Sequence, residues 1–577
     1  MITLSTRSLA AFALLHLPAL SAPRIADRNG VRSLATIDDR SVLAQGAVFE
    51  VNGEELGPAG GVEAEIPYSG SLQGSSVSLT PVAGGSAVRA FLISASARRI
   101  VAVLPSTAAS GDYRVTVSSQ SGDSAAGVPV KVAVRAFGLI TASGIAGSAA
   151  GGRIVSPDGG EPAALSMANA AGPGATLELD ATGLGPIPGP DNEPPGEENA
   201  APDAVLLIGG IEVPVSYLGR NPGKPGYDRV SIQLPAEGLP SGCAVLAQIR
   251  TGDYRTPVCS IPLRAADEAA CTHPLGVSSE GLAALARGGS IVRGTFTLVR
   301  LVGQSRAANM TFESRVDQFS GAFASFTAEE IETMTARSLL AAKPDANGCT
   351  LFDSAAGEPQ GMFVDAGPSL VLTGPAWNRT IPRGIGQAMN VYGQVLDSKL
   401  NGNPTPGPPT PGLLFGPGPY TLTGPGGAVV GPFQFQVNVS PVFQWTNMDA
   451  TTEVDTSPDL VFRYSGGMPD DTVAATQTVR GPAPEEPSRI VSRSWICLGK
   501  AGVGSLTVSS SLLQKMPRVS AAELAAPSSG RTSSLTLGMY NPDGVGLFRA
   551  PLTAGGQTEL IPFLYNYTWS KVPVPVR

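Results

Sequence analysis

Two stretches of the chain share one pattern of apolar and polar positions. In each, an alternating apolar segment ends at Leu-Pro, a Ser-Gly turn follows, and a second alternating segment begins. The first copy covers residues 100–117 and the second covers residues 230–249. Alternation with a period of two, broken by turn residues, predicts β-strands, and its repetition predicts a chain assembled from β modules.

Composition supports a turn-rich, mainly all-β fold. Apolar residues make up 42% of the chain, enough for several cores, while 70 Gly and 51 Pro supply turns between the strands. Charged residues make up only 15%, the net charge is −8, and no basic run exceeds Arg98-Arg99. We therefore expect neither a nucleic-acid partner nor an anionic membrane surface, since both require a basic surplus.

The amino-terminal residues 1–21 are predicted to be a signal peptide. A positive charge precedes an apolar stretch that runs from Leu9 to Leu20. Cleavage after Ser21 is favoured, because cleavage after Ala22 would leave proline as the first residue. The alternative is a disordered or membrane-retained amino terminus. No later segment is apolar enough to span a bilayer, so we expect a secreted, extracellular or cell-surface protein without a transmembrane segment.

Turn residues and two helix signals divide the chain into predicted units. A cap at Ser279 with a glycine stop at Gly288 predicts one short helix, and a capping box that begins at Thr327 predicts another. The predicted units are a linker or leading strand (22–44), β-sandwich 1 (45–137), β-sandwich 2 (138–266), a small α+β element with two short helices (267–350), β-sandwich 3 (351–440) and β-sandwich 4 (441–577).

Five cysteines fit an exported protein with a few disulfides. Cys243 and Cys259 flank a predicted short hairpin, so cross-strand geometry favours a bridge between them. Cys271 and Cys349 then form the second predicted pair, and Cys497 stays free. Spacing alone does not fix the connectivity, and a Cys259–Cys271 bridge and buried free thiols are the alternatives.

Patterns typical of catalytic and metal sites are scarce. His273 is the only histidine outside the predicted signal peptide, which excludes sites that need two histidines; we expect it on the surface or beside a disulfide. No nucleophile elbow, Cys-x-x-Cys pair or phosphate-binding loop occurs. Asp191, Glu193, Glu197 and Glu198 suggest calcium, but their spacing matches no calcium loop. We therefore expect a non-enzymatic protein with no catalytic residue, cofactor or metal site.

Carboxylates and aromatic side chains near the carboxyl terminus leave a carbohydrate-related function open. Paired carboxylates can hydrolyse glycosidic bonds without histidine. The acidic candidates are Asp449, Glu453, Asp455, Asp459, Asp470 and Asp471. A flat exposed ring can stack on a sugar, and Trp569, beside Tyr565 and Tyr567, is the candidate for a binding face. Core packing of Trp569 is the alternative, and Trp445 and Trp495, within alternating strands, are expected in the core.

Several segments resemble a known repeat domain. Residues 100–117, residues 181–186 with their Thr-Gly-Leu-Gly-Pro turn, the Gly-Gly hairpin at 208–210 and the turns of 227–242 resemble the repeats of large secreted bacterial proteins of unknown function. The resemblance covers roughly residues 45–266. It implies an immunoglobulin-like (IPT/TIG-type) β-sandwich fold, and it brings no catalytic residues.

These expectations converge on a secreted, non-enzymatic protein of tandem immunoglobulin-like β-sandwiches with a small α+β element. Its predicted role is adhesion at the cell surface or binding of an extracellular protein or polysaccharide, with recognition by loops at the sandwich ends. One alternative is a polysaccharide-binding accessory or carboxylate-dependent glycoside-active protein. Another is an architectural spacer.

Overall fold

The computed structural model describes residues 22–577 with the exception of several short stretches. The stretches outside the description are residues 28–29, 38, 125–126, 156–159, 187, 197–202, 308–309, 342–347, 354–358, 387–388, 402–414 and 541–545. The predicted signal peptide, residues 1–21, also lies outside the described residues. Strands make up 52% of the structure and helices 7%, which confirms the expectation of a mainly all-β fold.

The first unit, residues 24–133, is a sandwich of two sheets. Its strands are β1 (Arg24–Ile25), β2 (Val31–Ser33), β3 (Val42–Ala44), β4 (Val48–Glu54), β5 (Val62–Glu63), β6 (Ser76–Pro81), β7 (Val88–Arg89), β8 (Phe91–Ala95), β9 (Arg99–Val103), β10 (Gly111–Ser119), β11 (Gly122–Asp123) and β12 (Val128–Ala133). One sheet has the order β1-β4-β9-β8-β5 with β2 beside β4, and the other has the order β3-β12-β10-β6-β7 with β11 beside β10. Apolar side chains from both sheets form one core, among them Phe49, Leu79, Leu92, Ile100 and Val115.

The second unit, residues 138–263, is one sheet that folds over on itself. Its strands are β13 (Gly138–Leu139), β14 (Gly152–Val155), β15 (Ala163–Ala164), β16 (Thr176–Thr182), β17 (Val205–Ile208), β18 (Ile211–Arg220), β19 (Asp228–Gln233), β20 (Gly242–Thr251), β21 (Tyr254–Arg255) and β22 (Cys259–Leu263). The order is β15-β14-β16-β19-β18-β17-β20-β21, with β13 beside β16 and β22 beside β20. A bulge between Val215 and Tyr217 interrupts β18, the strand that joins the two halves. The halves enclose a core that includes Leu179, Leu206, Val230 and Ile249.

A tight turn connects β17 to β18, as the Gly-Gly pair predicts. Gly209 and Gly210 have φ angles of 57° and 87°. Two successive residues with positive φ match the right-handed twist of a hairpin, and glycine adopts that conformation without steric cost.

The carboxyl-terminal body comprises residues 271–577. Its strands are β23 (Ile291–Ala307), β24 (Met310–Phe326), β25 (Cys349–Asp353), β26 (Met362–Val364), β27 (Ser369–Gly374), β28 (Trp377–Pro382), β29 (Val391–Asn401), β30 (Gly418–Gly424), β31 (Phe433–Val439), β32 (Gln444–Trp445), β33 (Leu460–Ser465), β34 (Thr472–Ala483), β35 (Glu486–Lys500), β36 (Ser505–Val508), β37 (Thr532–Tyr540), β38 (Gly546–Phe548) and β39 (Ile561–Val572). Its helices are α1 (Ser279–Ala286), α2 (Ala328–Ala341), α3 (Ser510–Leu513) and α4 (Ala521–Ala525).

One large sheet forms the main layer of the body. Its order is β25-β35-β34-β37-β39-β23-β24-β26, with β29 beside β24 and β38 beside β39. The sheets β28-β27-β30-β31 and β32-β33-β36 contribute to the same core as its inner face. Side chains buried in that core include Phe296, Phe319, Leu422, Phe462, Trp495 and Tyr565.

The body differs from the three separate units expected for residues 267–350, 351–440 and 441–577. Strand β23 pairs in parallel with β39, which places Phe296 opposite Phe563. Strand β25 pairs with β35, and β24 pairs with β29. These pairings join segments from all three expected units into one sheet. Pairing between remote strands leaves no local pattern in the sequence. Turn residues inside the body therefore resemble boundaries between separate units.

Both predicted helices are present in the body. The cap of α1 is Ser278 rather than the expected Ser279, which is the first residue of the helix. Ser278 Oγ accepts a hydrogen bond from Gly281 N at 3.1 Å. Thr327 and Glu330 form the capping box of α2, with the Thr327 N–H donating to the Glu330 carboxylate at 2.9 Å. None of the helices in the described part of the chain has both the length and the apolar character that crossing a bilayer requires.

Two disulfides are present, and their connectivity differs from the expected one. They are Cys243–Cys271 and Cys349–Cys497. Cys349 and Cys497 lie directly opposite each other on β25 and β35, with their Cα atoms 4.0 Å apart. The cross-strand argument therefore holds, but for a pair of strands that are remote in sequence.

The expected Cys243–Cys259 bridge fails because of strand register. Strand β22 does pair with β20, but Cys259 lies opposite Ala247 rather than opposite Cys243. Cys259 is instead a buried free thiol, and burial raises its pKa to about 12. A thiol held in this protonated state is a small core side chain rather than a nucleophile.

The second unit and the body meet at a shared hydrophobic cluster. Its members include Ala149, Met167, Cys243, Cys271, Leu282 and Ile331. At its edge, Ala149 N lies 3.5 Å from a carboxylate oxygen of Glu332 on α2. Burial raises the pKa of Glu332 to about 7. The junction is therefore apolar, is closed by a disulfide, and contains one carboxyl group that titrates near neutral pH.

Candidate functional site

The aromatic side chains expected to form a binding face pack into the body. Tyr565 and Tyr567 are each 1% exposed, and Tyr565 Oη lies 2.7 Å from Ser440 Oγ. Trp569 is half-buried, and its indole N–H donates to Phe443 O at 3.1 Å. Alternation along β39 turns all three rings toward the same inner face. The binding face expected from them is therefore replaced by core packing.

Strand β39 becomes fully exposed only at its last residue, Val572, three residues beyond the last of these rings. A recess of about 170 Å³ lies there. Lys571 Nζ donates to Met448 O at 2.7 Å, and Gln304 Nε2 donates to Asp449 Oδ1 at 2.6 Å. These polar groups are engaged in hydrogen bonds within the protein. The recess therefore suits the packed end of a strand better than a ligand site.

Trp445 and Trp495 lie in the core, as the sequence predicted. Trp445 is 3% exposed and Trp495 is 0% exposed. Trp495 Nε1 donates to Gln477 Oε1 at 3.0 Å, which satisfies the buried indole.

Most of the acidic residues considered for glycoside chemistry hold local structure. Asp455 and Asp459 each accept a hydrogen bond from a backbone N–H, and Glu453 forms an ion pair with Arg577. Asp471 is 1% exposed and accepts a backbone N–H at 2.7 Å. These contacts give each group a structural role.

The acidic loop considered for calcium is fixed by a protein contact. Asp191 is 7% exposed, and its Oδ2 accepts hydrogen bonds from Ser106 N at 2.6 Å and from Ser106 Oγ at 2.8 Å. Glu193 is exposed, while Glu197 and Glu198 lie outside the described residues. Within the part of the chain that the structure describes, no group of three His, Cys, Asp or Glu is placed to hold a metal ion.

His273 is buried beside the disulfide residue Cys271, at 4% exposure, rather than on the surface. Leu275 N donates to its Nδ1 at 3.2 Å, and Thr335 Oγ1 lies 3.3 Å from its Nε2. Burial, with a smaller contribution from Arg293, lowers the pKa of His273 to about 4. A neutral ring with both nitrogens engaged fits a structural role.

Loops at one end of the first unit form a different recess, which we call the loop recess. It has a volume of about 200 Å³. Its polar lining is Glu55, Gln73, Ser75, Ser119, Gln120 and Ser121, and its apolar lining includes Pro58, Ala59 and Ala97. The loops after β4, before β6, between β8 and β9, and after β10 therefore converge on one concave surface, as recognition loops do at the ends of sandwich folds.

Hydrogen bonds and backbone conformation fix the shape of the loop recess. Gln120 Nε2 donates to Gln73 O at 3.2 Å, and the Oγ atoms of Ser119 and Ser121 lie 2.7 Å apart. Glu55 and Gln73 have φ angles of 55° and 45°. Non-glycine residues held in this left-handed region carry strain of about 1–3 kcal/mol, and such strain clusters at binding sites.

Within the described part of the chain, the loop recess contains a buried polar group without a partner, the hydroxyl of Ser75. Its side chain is 1% exposed, and its Oγ has no hydrogen-bond partner among the described residues. A Cβ placed on Gly57 would lie 3.0 Å from that oxygen, so the missing side chain at Gly57 leaves room for the hydroxyl beside the recess. A buried hydroxyl without a partner costs free energy, and such exceptions in a folded protein need an explanation.

Charge around the loop recess restricts the class of ligand. Glu55 is its only ionisable lining residue, and it is exposed at the rim. Hydroxyl and amide groups both donate and accept hydrogen bonds, while the small apolar side chains offer contact for C–H groups. The recess therefore suits a ligand that is uncharged, hydroxyl-rich and about the size of one sugar ring.

Sequence reasoning missed this site because its residues come from four separate loops. Residues 69–78 and 118–124 are rich in Ser and Gln, but such runs are typical of turns, and nothing local shows that the two segments meet. The positive φ of Glu55 follows from the turn after β4 rather than from its residue type.

Strand content and sheet order define a protein of several β-sandwich units. No protein-family model matches the chain, and no curated protein matches it. Several solved structures are similar to it at low score. The SGBP-B protein of the Bacteroides ovatus mixed-linkage glucan utilization locus, in complex with a mixed-linkage heptasaccharide, is 13% identical, with 51% of this chain and 68% of that chain covered and a TM-score of 0.19.

Two further similar structures come from different organisms. The FN1–FN3 domains of chicken CNTN1 are 9% identical, with 73% of this chain and 99% of that chain covered and a TM-score of 0.12. Yersinia pseudotuberculosis InvD is 8% identical, with 70% and 94% covered and a TM-score of 0.12. Scores this low carry no argument about ligand or role.

Proposed function

We propose that this chain is an extracellular binding protein that holds an uncharged, hydroxyl-rich ligand in the loop recess. A sugar ring within a polysaccharide has this chemistry. The observation that carries the proposal is Ser75 Oγ, a buried hydroxyl without a partner among the described residues, at a recess whose other polar lining is Gln, Ser and one exposed Glu. The proposal assigns no catalytic step to the chain.

Location outside the cytoplasm is part of the proposal. Two disulfides support it, because such bridges persist in oxidising compartments. The predicted signal peptide and a role at the cell surface belong to the same proposal. So does membership of the first two units in the IPT/TIG-type class of immunoglobulin-like domains, which their strand–turn patterns suggest.

The test is titration calorimetry of the described chain, residues 22–577, with neutral oligosaccharides from glucans, mannans and galactans. Reducing-sugar release is measured in the same samples. We expect saturable binding without release by at least one of these series. Release of reducing sugar would contradict the non-enzymatic role, and absence of binding to every series would favour a spacer or a protein ligand.

Matched variants locate the binding. Ser75→Ala removes the unpartnered hydroxyl, so it should leave the fold intact while weakening affinity by about tenfold, which corresponds to about 1.4 kcal/mol. Gly57→Ala should also weaken binding, because the added methyl group would crowd Ser75 Oγ at 3.0 Å and Ser96 O at 3.2 Å and shift the lining of the recess. Ser86→Ala, an exposed serine outside the recess, is the control and should bind as the parent protein does. Equal affinities for the parent and Ser75→Ala would contradict the assignment.

A further inference from the structure

A second cavity lies on the outer face of the β23–β24 hairpin, far in sequence from the loop recess. Its volume is about 220 Å³. The hairpin supplies Arg293, Thr295 and Phe326, while α2 supplies Met334 and β26 supplies Phe363. Most of these side chains are apolar, so the walls offer contact to an apolar group and few hydrogen bonds.

Arg293 is the only ionisable residue in the lining of this cavity. Its Nη2 donates to Leu275 O at 2.8 Å, whereas its Nε is buried and has no hydrogen-bond partner. Among the described residues, no carboxylate forms an ion pair with it. A mostly buried guanidinium without a bonded anion is costly, because burial removes the water that would otherwise solvate it.

Glu559 is the acidic group that acts on Arg293, but its carboxylate bonds to other residues. Glu559 accepts hydrogen bonds from Ser278 N and from Ser278 Oγ, each at 2.8 Å, and it lies 3.5 Å from Arg549. Burial lowers the pKa of Arg293, and Glu559 opposes that shift only through space. Arg293 therefore lines the cavity without a carboxylate bonded to its guanidinium among the described residues.

We propose that this cavity binds a small monocarboxylate with an aromatic or short aliphatic body. A carboxylate matches the planar guanidinium and accepts its free N–H groups, while the body contacts Phe326, Met334 and Phe363. One arginine balances one negative charge. The nearby His273 is neutral near pH 7 and adds no second positive charge. This site is separate from the loop recess and takes a different class of ligand.

The experiment is ligand-observed NMR titration of residues 22–577 with benzoate, with benzamide as its uncharged counterpart and inorganic phosphate as an anion without an apolar body. We expect saturable binding of benzoate, at least tenfold weaker binding of benzamide, and no competition by phosphate. Equal binding of benzoate and benzamide, effective competition by phosphate, or absence of saturable benzoate binding would each overturn the proposal.

Variants separate a binding role from a structural role. Arg293→Met keeps the apolar stem and removes the charge, so benzoate binding should fall at least tenfold. Arg287→Met removes an exposed positive charge at the end of α1 and should leave binding unchanged. Ala322→Leu fills the cavity without altering charge, so it should also block benzoate, and it decides the matter if Arg293→Met does not fold. Benzoate binding that survives in a folded Arg293→Met or Ala322→Leu protein would overturn the proposal.

Discussion

The first unit and the carboxyl-terminal body differ in how far apart in sequence their paired strands lie. In the first unit, every strand pairs with a strand that lies within residues 24–133. In the body, β39 at the end of the chain lies between β37 and β23, so the sheet is complete only when the chain end returns. Local closure makes a unit self-sufficient, while remote closure makes the stability of the body depend on its last strand.

The largest expected effect comes from removal of residues 561–577. This deletion removes β39 from the middle of the large sheet, together with Phe563, Tyr565 and Tyr567, which are at most 1% exposed. The cooperative unfolding transition of the body should disappear, while the first and second units keep theirs. Scanning calorimetry with limited proteolysis measures both. Removal of residues 22–26, which include only the two-residue edge strand β1, is the control and should preserve all transitions. Cooperative unfolding of a body that lacks β39 would contradict the dependence of the body on its last strand.

The next effect concerns the two disulfides, which close loops of very different length. Cys349–Cys497 spans 148 residues and Cys243–Cys271 spans 28 residues. In the chain-entropy account, their loss should lower the free energy of unfolding by about 5 and about 3.5 kcal/mol, respectively. Paired Cys→Ala variants, followed by denaturant unfolding, measure the difference.

Cys259→Ala is the control for the disulfide variants. It removes a buried thiol that closes no loop, so it should cost less than either pair. If the short loop proved to matter more than the long one, remote closure would not be what stabilises the body.

A smaller effect depends on pH and tests the junction between the second unit and the body. The pKa of Glu332 is raised to about 7 by burial, so the folded protein holds a proton that the unfolded chain releases at lower pH. Stability should therefore fall as pH rises from about 4.5 to about 7. Glu332→Gln abolishes this titration and should be more stable than the parent at pH 8 by about 3 kcal/mol, but not at pH 4.5.

Thermal unfolding at the two pH values checks this expectation. Glu329→Gln, an exposed carboxylate on the same helix, is the control and should show no such dependence. A stability difference between the parent and Glu332→Gln that is the same at pH 4.5 and pH 8 would contradict the role of burial at the junction.

The smallest effect is confined to a local turn of the second unit. Gly210 has a φ of 87°, and a Cβ added there would meet no atom within 4 Å. Gly210→Ala should therefore cost about 1 kcal/mol through backbone strain alone, and only in the second unit. Gly223→Ala lies in the same unit, outside the left-handed region and in ordinary contact distance of its neighbours, and should cost less. Equal costs would show that the hairpin turn does not need glycine.

The same contrast explains what the sequence could predict. Alternation, the Gly-Gly turn and the helix caps are local signals, and they correctly predicted strands, the hairpin at Gly209 and Gly210, and both capped helices. Register is not local. The bridge between Cys349 and Cys497, and the pairing of β23 with β39, depend on which remote strands become neighbours.

The candidate site was beyond prediction for a related reason. The strand and turn pattern predicted recognition at sandwich-end loops, and the loop recess lies at such an end. The pattern does not identify Gln73, Ser75 and Gln120, because the two segments that carry them are remote in sequence. The aromatic residues of β39 were the predicted binding face. Alternation along that strand instead turns Tyr565 and Tyr567 into the core.

Hydrogen exchange with and without a bound neutral oligosaccharide tests the central claim most directly. The claim is that the neutral ligand binds at the loop recess of the locally closed first unit and not in the body. It predicts that the ligand slows exchange in the loops around Glu55, Gln73, Ala97 and Gln120 and leaves β23, β34 and β39 unchanged. Protection confined to the body, or protection in the first unit that persists unchanged in Ser75→Ala at the same ligand concentration, would contradict it.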